Sequence, residues 1–280
     1  MLRTRVITAV VILLLLLGML FFAPPLAWSV FVLVIALLGC WEWSRMSGLS
    51  RMGQNVFLAL SGVIGGVLFL LYAREPDTYF MTASSVSFMV AALFWVVLAP
   101  LWLANKARPA PLACALAGWI VMWPTWFAFV VLRDVSPWLL LAIAAVIWVA
   151  DIAAYFSGKR FGKHKLAPAV SPSKTWEGVM GALVGVAVYG IVLAVLARSQ
   201  PAPISAIFDA AQGVPVVIAM LVLAALSIVG DLLESWMKRG VGLKDSSALL
   251  PGHGGILDRI DALTSTLPVA ALAIGLRSLA

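Results

Sequence analysis

Five carboxylates carry the first hint of chemistry in this chain. Asp151 lies in VADIAAYFSG, Asp231 and Glu234 in IVGDLLESWMKR, and Asp258 and Asp261 in ILDRIDAL. Only 12 acidic residues exist in all, so five in three short stretches is a concentration. Asp231/Glu234 and Asp258/Asp261 are i, i+3 pairs, which share one face of a helix. Like charges there repel unless something positive sits between them. All-oxygen donors favour a hard divalent cation such as Mg²⁺. Lys238, Arg239 and Arg259 offer another answer, neutralising the same acids as ion pairs. Spacing alone leaves both readings open.

The segment that follows the second acidic stretch is basic and rich in glycine. It reads SWMKRGVGLKDSSALLPGHGGILDRID from Ser235 to Asp261. Lys238, Arg239, Lys244 and His253 stand among Gly240, Gly242, Gly252, Gly254 and Gly255. Glycine lets backbone N–H groups approach an anion closely, and Lys and Arg supply charge for phosphate oxygens. Carboxylate pairs beside such a loop suit metal-assisted phosphoryl or nucleotidyl transfer. An ordinary positive loop would explain the lysines and arginines, but not the glycines, the histidine and the aspartate pair together.

A third stretch, SPSKTWEG, runs from Ser171 to Gly178. Pro172 bars a helix upstream, Ser173 or Thr175 can cap a helix that starts here, and Glu177 suits its positive first turn. A helix start bearing Ser173, Lys174 and Thr175 can hold phosphate, or can be a plain cap. Other patterns do not carry chemistry. GKRFGKHK, from Gly158 to Lys165, lacks the spacing of a Walker A loop, and Gly240-Val241-Gly242 lacks the third glycine of a dinucleotide fingerprint. No Ser-His-Asp set is evident. Cys40 and Cys114 both sit in apolar runs, which excludes a disulfide framework and a cysteine-based zinc site.

Composition says what must position these residues. The chain has 280 residues, 63% hydrophobic and 11% charged, with mean hydropathy +1.07. Soluble domains are nearer ~45–50% apolar and ~25% charged. A soluble enzyme, a disordered protein and a nucleic-acid-binding module are thereby excluded, and lipid is the solvent for most of the chain. Apolar runs near 6–23, 27–46, 56–73, 80–103, 112–132, 137–157, 177–197, 214–237 and 260–278 predict an all-α polytopic membrane protein of about nine transmembrane helices. The opening MLRTR and its apolar run are read as a retained span rather than a cleaved signal.

With the N-terminus in the cytoplasm and nine alternating spans, fifteen of the nineteen Lys and Arg residues fall on the cytoplasmic side. Arg74, Arg133, Arg198 and Arg277 fall on the other. That asymmetry agrees with the positive-inside rule and accounts for the net charge of +7 without nucleic acid. Residues 1–135 are read as a scaffold with lipid and dimer contacts, and 136–280 as a catalytic region with cytoplasmic loops 158–178 and 238–261. The tryptophans, among them Trp119, Trp123 and Trp126, are read mostly as interfacial belt and packing. Glu42, between Trp41 and Trp43, is read as facing the interface at a helix end.

The residues together resemble a known family. Ser235, Lys238, Arg239, Lys244 and Asp245, followed by Pro251-Gly252-His253-Gly254-Gly255 and then Asp258, Arg259 and Asp261, look like the signature of the bacterial phosphatidate cytidylyltransferases, or CDP-diglyceride synthases. About a dozen positions match over 27 residues. The likeness extends to Ser171–Gly178, to Asp151 with Tyr155 and to Trp41-Glu42-Trp43, and so spans essentially the whole chain.

The resemblance implies a reaction of CTP with phosphatidic acid, giving CDP-diacylglycerol and diphosphate. It implies Mg²⁺, with a second, monovalent cation beside it, and a nine-helix homodimer in the inner membrane whose site faces the cytoplasm. It implies that Asp231 and Asp258 hold the metal, joined by Asp261 and Glu234. Lys238, Arg239 and His253 would then act in catalysis. Ser173, Lys174, Thr175, Lys244, Asp245, Gly254, Gly255, Arg259 and Asp151 would bind substrate. Two rivals differ in their signatures. A CDP-alcohol phosphotransferase would show a denser aspartate cluster on two successive helices. A cation-coupled transporter would show repeats and midplane charges.

Overall fold

The computed structural model describes residues 2–75, 79–105, 108–197 and 213–277. The helices among them are α1 (Leu2–Phe22), α2 (Pro25–Met46), α3 (Arg51–Arg74), α4 (Met81–Leu93), α5 (Ala99–Asn105), α6 (Pro111–Val135), α7 (Pro137–Phe161), α8 (Trp176–Ala197), α9 (Gly213–Gly240) and α10 (Leu257–Arg277). A π-helical stretch, Phe94–Leu98, joins α4 to α5 in one span, Met81–Asn105. Among the described residues nine helices are long and apolar enough to cross a membrane, as the sequence predicted. Lys106 and Arg198, two of the counted charges, lie outside the described residues.

The starts of these helices follow from local chemistry. Pro25, Pro111 and Pro137 each occupy a first helical turn, where proline's missing N–H has no partner to lose. Ser50 caps α3 by accepting from Gly53 N at 3.2 Å. Thr175, rather than Ser173, caps α8 by accepting from Gly178 N at 3.1 Å. Residues 158–178 are not a plain loop. They hold a small antiparallel hairpin of β1 (Lys165–Ala167) and β2 (Ser171–Thr175), with Lys165 opposite Thr175 and Ala167 opposite Ser171.

Helix α6 is the hub. Its span is 78% buried, against 6% for α1. Trp28, Trp43, Trp95 and Trp126 are fully buried, so for Trp126 packing prevails over the interfacial belt. Three indole N–H groups bond across the α2–α6 contact. Trp43 Nε1 donates to Cys114 O at 2.7 Å, Trp28 Nε1 to Phe129 O at 3.0 Å, and Trp126 Nε1 to Ser29 O at 3.1 Å. Cys40 and Cys114 are free and buried, as expected. Helix α1 is tied at its far end, where Arg133 donates to the carbonyls of Leu20 and Ala23.

Trp43 lies directly on Gly118. A Cβ there would stand 2.7 Å from Trp43 Nε1, with Cδ1 and Cγ of the same ring as close. Gly118→Ala is therefore expected to destabilise the protein by about 1–3 kcal/mol through overpacking. Thermal unfolding in detergent checks this, and an unchanged midpoint would show that the contact yields freely.

Candidate active site

Four helix ends and the hairpin build the site. Small residues let α7 and α8 approach: an added Cβ at Gly158 would stand 3.1 Å from Thr175 Oγ1, and one at Gly185 would stand 2.7 Å from the Ala153 Cβ. Helices α9 and α10 close on each other at Gly230, where a Cβ would meet Asp261 O at 2.7 Å and Ser265 Oγ at 2.6 Å. Ser265 Oγ also donates to Leu226 O at 2.9 Å, holding that register.

Between α7, β2, α8 and α9 opens a cleft of about 380 Å³. Asp151, Tyr155, Lys159, Ser173, Lys174 and Asp231 line it, with Thr175 at its edge. Lys174, carried on β2, forms an ion pair with Asp231. Asp151 faces both charges. The sequence placed these acids and Lys174 in separate stretches; the hairpin brings them to one wall.

The second group lies one turn further along α9. Lys238 Nζ donates to Glu234 Oε2 at 2.6 Å and to Asp258 Oδ1 at 2.5 Å. All three side chains are nearly inaccessible to solvent. Asp261 is near enough to feel the charges of both groups, those of Asp231 and Lys174 and those of Lys238 and Glu234. The four carboxylates expected to hold metal are thus gathered, with Asp151 beside them.

Their partners are lysines. Of the three cations offered by the ion-pair reading, only Lys238 takes that role. Arg239 is exposed and donates to Leu243 O at 2.8 Å, and Arg259 is exposed. Among the described residues no three acidic, histidine or cysteine side chains already enclose a metal position. The donor set nonetheless suits one. Five carboxylates meet two ammonium groups, and Glu234 Oε1 is buried without a hydrogen-bond partner. All the oxygens are hard donors.

The glycine-rich loop, residues 241–256, packs against the Asp258 carboxylate. Gly242, Gly252 and Gly254 have φ of 73°, 76° and 79°, the left-handed region that side chains disfavour. They fold the loop back, with Leu250 N donating to Gly254 O at 2.8 Å. The backbone N–H groups do meet an anion, but it is the protein's own. Asp258 Oδ2 accepts from Ser246 N at 3.0 Å, Ser246 Oγ at 2.9 Å and Gly255 N at 2.7 Å. Lys244 and Asp245 are exposed on the loop, and His253 is half-buried beside the Pro251 carbonyl. The side chains of Lys244, Arg239, His253 and Arg259 do not join the acid cluster.

Two features escaped sequence reasoning. Glu42 does not face the interface. It is fully buried, and it touches this loop rather than lipid. Ser246 and Ser247, to which the sequence reading assigned no role, are buried beside it. The one available signal was a carboxylate flanked by two tryptophans in an apolar run. The start of α1 meets this loop at Gly252, where a Cβ would stand 2.9 Å from Arg5 Cγ.

Known proteins resemble this chain over its whole length. The model of the cytidylyltransferase family matches residues 3–276. A Pseudomonas aeruginosa protein named phosphatidate cytidylyltransferase is 38% identical over 280 residues, covering 97% of this chain and 96% of its own length. One of the same name from Haemophilus influenzae is 34% identical, covering 96% of each chain. Another from Bacillus subtilis is 32% identical, covering 79% of this chain and 80% of its own. An end-to-end match of this kind, on a site that sets acids and lysines around one cleft, places the chain in the cytidylyltransferase family.

Proposed function

We propose that this protein joins CTP to phosphatidic acid, giving CDP-diacylglycerol and diphosphate, at the cytoplasmic face of the inner membrane. The observation that carries the reading is the meeting of Lys174–Asp231 with Lys238–Glu234–Asp258 where the hairpin joins the ends of two spans. The names of the full-length relatives supply the substrate class. The fifteen-to-four charge asymmetry supports the cytoplasmic face, where CTP is found.

In this reading a lipid phosphate oxygen attacks the α-phosphorus of CTP in line. A P–O bond forms there, and the bond from the α-phosphorus to the bridging oxygen breaks. The leaving diphosphate takes the electron pair. A phosphate monoester needs little deprotonation near neutral pH, so no general base is required. Both reactants are anions, so positioning and charge neutralisation do the catalytic work.

Asp231 and Asp258, with Asp261 and Glu234, would hold Mg²⁺, which supplies charge neutralisation along the triphosphate. The excess of acid over base also leaves charge for a second, monovalent cation. Lys174 and Lys238 hold the acid cluster together in the free protein and turn to phosphate oxygens when substrate enters. Arg239, Lys244 and Arg259, exposed around the loop, draw in the anionic substrates, with Ser173, Thr175, Asp245, Gly254 and Gly255 shaping their seats. His253 serves as a hydrogen-bond donor. Acyl chains reach the cleft sideways from the bilayer. Residues 1–135 supply the scaffold and, in a homodimer, contacts between copies.

The test is diphosphate release by purified protein in detergent. Phosphatidic acid, CTP and Mg²⁺ are supplied together and omitted one at a time. Release that needs all three is expected. Release without lipid, or none from folded protein, would overturn the reading.

A further inference from the structure

The Glu42 carboxylate is buried in α2, and among the described residues no cation forms an ion pair with it. Its four donors all belong to one piece of chain. Oε1 accepts from Ser247 Oγ at 2.6 Å and from Ile256 N at 3.0 Å. Oε2 accepts from Ser246 Oγ at 3.1 Å and from Leu257 N at 2.7 Å. The donors lie at the two ends of the 246–257 segment, so one side chain clasps both.

Burying a carboxylate costs several kcal/mol unless it is well satisfied, so this one is held by a specific purpose-built set of donors. Ile256 and Leu257 open α10, and their N–H groups would otherwise be orphans of the helix start. A negative charge there also favours the helix dipole. Gly255 has to be a glycine for this contact, because a Cβ would overlap both Glu42 Oε1 and Ser246 Oγ. Ser246 then connects the clasp to the acid cluster. Its one hydroxyl proton is shared between Glu42 Oε2 and Asp258 Oδ2, and its amide N–H donates to the same Asp258 oxygen. Asp258 Oδ2 is thereby fully occupied, and Oδ1 is left to face Lys238 and the other acids.

We propose that Glu42 is a positioning residue of the active site, clasping the glycine-rich loop so that Asp258 presents Oδ1 to the acid cluster. The functional half of this rests on the nucleotidyl-transfer reading given above. Glu42 touches no reacting group. It acts through Ser246 and through the register of α10.

The test compares wild type with Glu42→Gln, Glu42→Asp and Gly118→Ala. Glu42→Gln keeps the shape but turns an NH₂ group toward N–H and O–H donors. Its kcat should fall about tenfold to a hundredfold, as for other supports of ligand residues, with KM for CTP nearly unchanged. Amide exchange at residues 246–257, measured without substrate, should speed up in the same variant. Glu42→Asp keeps the charge on a shorter stem and should recover part of both. Gly118→Ala overpacks the same α2–α6 contact, so it should lower the melting temperature yet leave kcat and loop exchange at wild-type values.

Wild-type kcat in Glu42→Gln, or unchanged exchange in the loop, overturns the proposal. So does a Gly118→Ala variant that loses kcat and loop protection equally, since destabilisation alone would then suffice. Should Glu42→Gln fail to fold, the double variant Ser246→Ala/Ser247→Ala removes two of the four donors and should shift kcat and exchange the same way. Absence of diphosphate release from wild type would sink the reaction, whereas the exchange measurement still decides the clasp.

Discussion

Asp258→Asn is expected to cut kcat by at least about a hundredfold, or about 2.7 kcal/mol of transition-state stabilisation. The geometry gives asparagine no good rotamer. With its carbonyl where Oδ2 stands, facing the three loop donors, its NH₂ meets the Lys238 ammonium. Turned the other way, the NH₂ faces Ser246 N and Gly255 N, both donors. Either way one negative charge is lost from the cluster proposed to hold the metal, and Lys238 keeps Glu234 as its one anionic partner. Diphosphate release by purified variant checks this, with the melting temperature as control. Wild-type turnover in folded Asp258→Asn would remove Asp258 from the reaction.

Lys174→Ala has the next largest expected effect. Lys174 stands on a five-residue strand and offsets Asp231 on the wall of the cleft. A hydrogen bond to a charged group is worth about 1.5–3 kcal/mol, so kcat/KM should drop roughly tenfold to a hundredfold. Most of the drop should appear in KM for CTP or for lipid, because the ammonium serves phosphate in ground state and transition state alike. Steady-state kinetics with each substrate varied in turn separates the two. Unchanged kcat and KM would leave Lys174 as nothing more than a counterion for Asp231.

The spans were legible because twenty-odd apolar residues between polar ends allow one solution in lipid. The acids were legible because carboxylates are scarce in such a chain, and i, i+3 spacing put them on shared faces. Which cation meets which acid was not. Lys238 reaches Asp258 because the loop doubles back through left-handed glycines, and a ligand list in one dimension cannot show a fold-back. Nor could spacing separate the basic residues that enter the cluster from Arg239 and Arg259, which point to solvent. The hairpin escaped because strands of three and five residues carry too little alternation to read. Glu42 was misplaced for a different reason. Its flanking tryptophans signal an interface by composition, while its four donors are more than 200 positions away in the chain.

That separation bears on how the protein is made. Chains emerge from the ribosome N-terminal end first, and contacts distant in sequence form late. Glu42 enters the bilayer with the second helix, yet its donors follow 204 to 215 residues afterwards. For most of synthesis its carboxylate has no protein partner, and water or lipid headgroups must solvate it. The site closes only once α10 inserts and its first turn reaches back to α2. The loop is therefore organised late in biogenesis, and a chain stalled before α10 carries every earlier span but no organised loop.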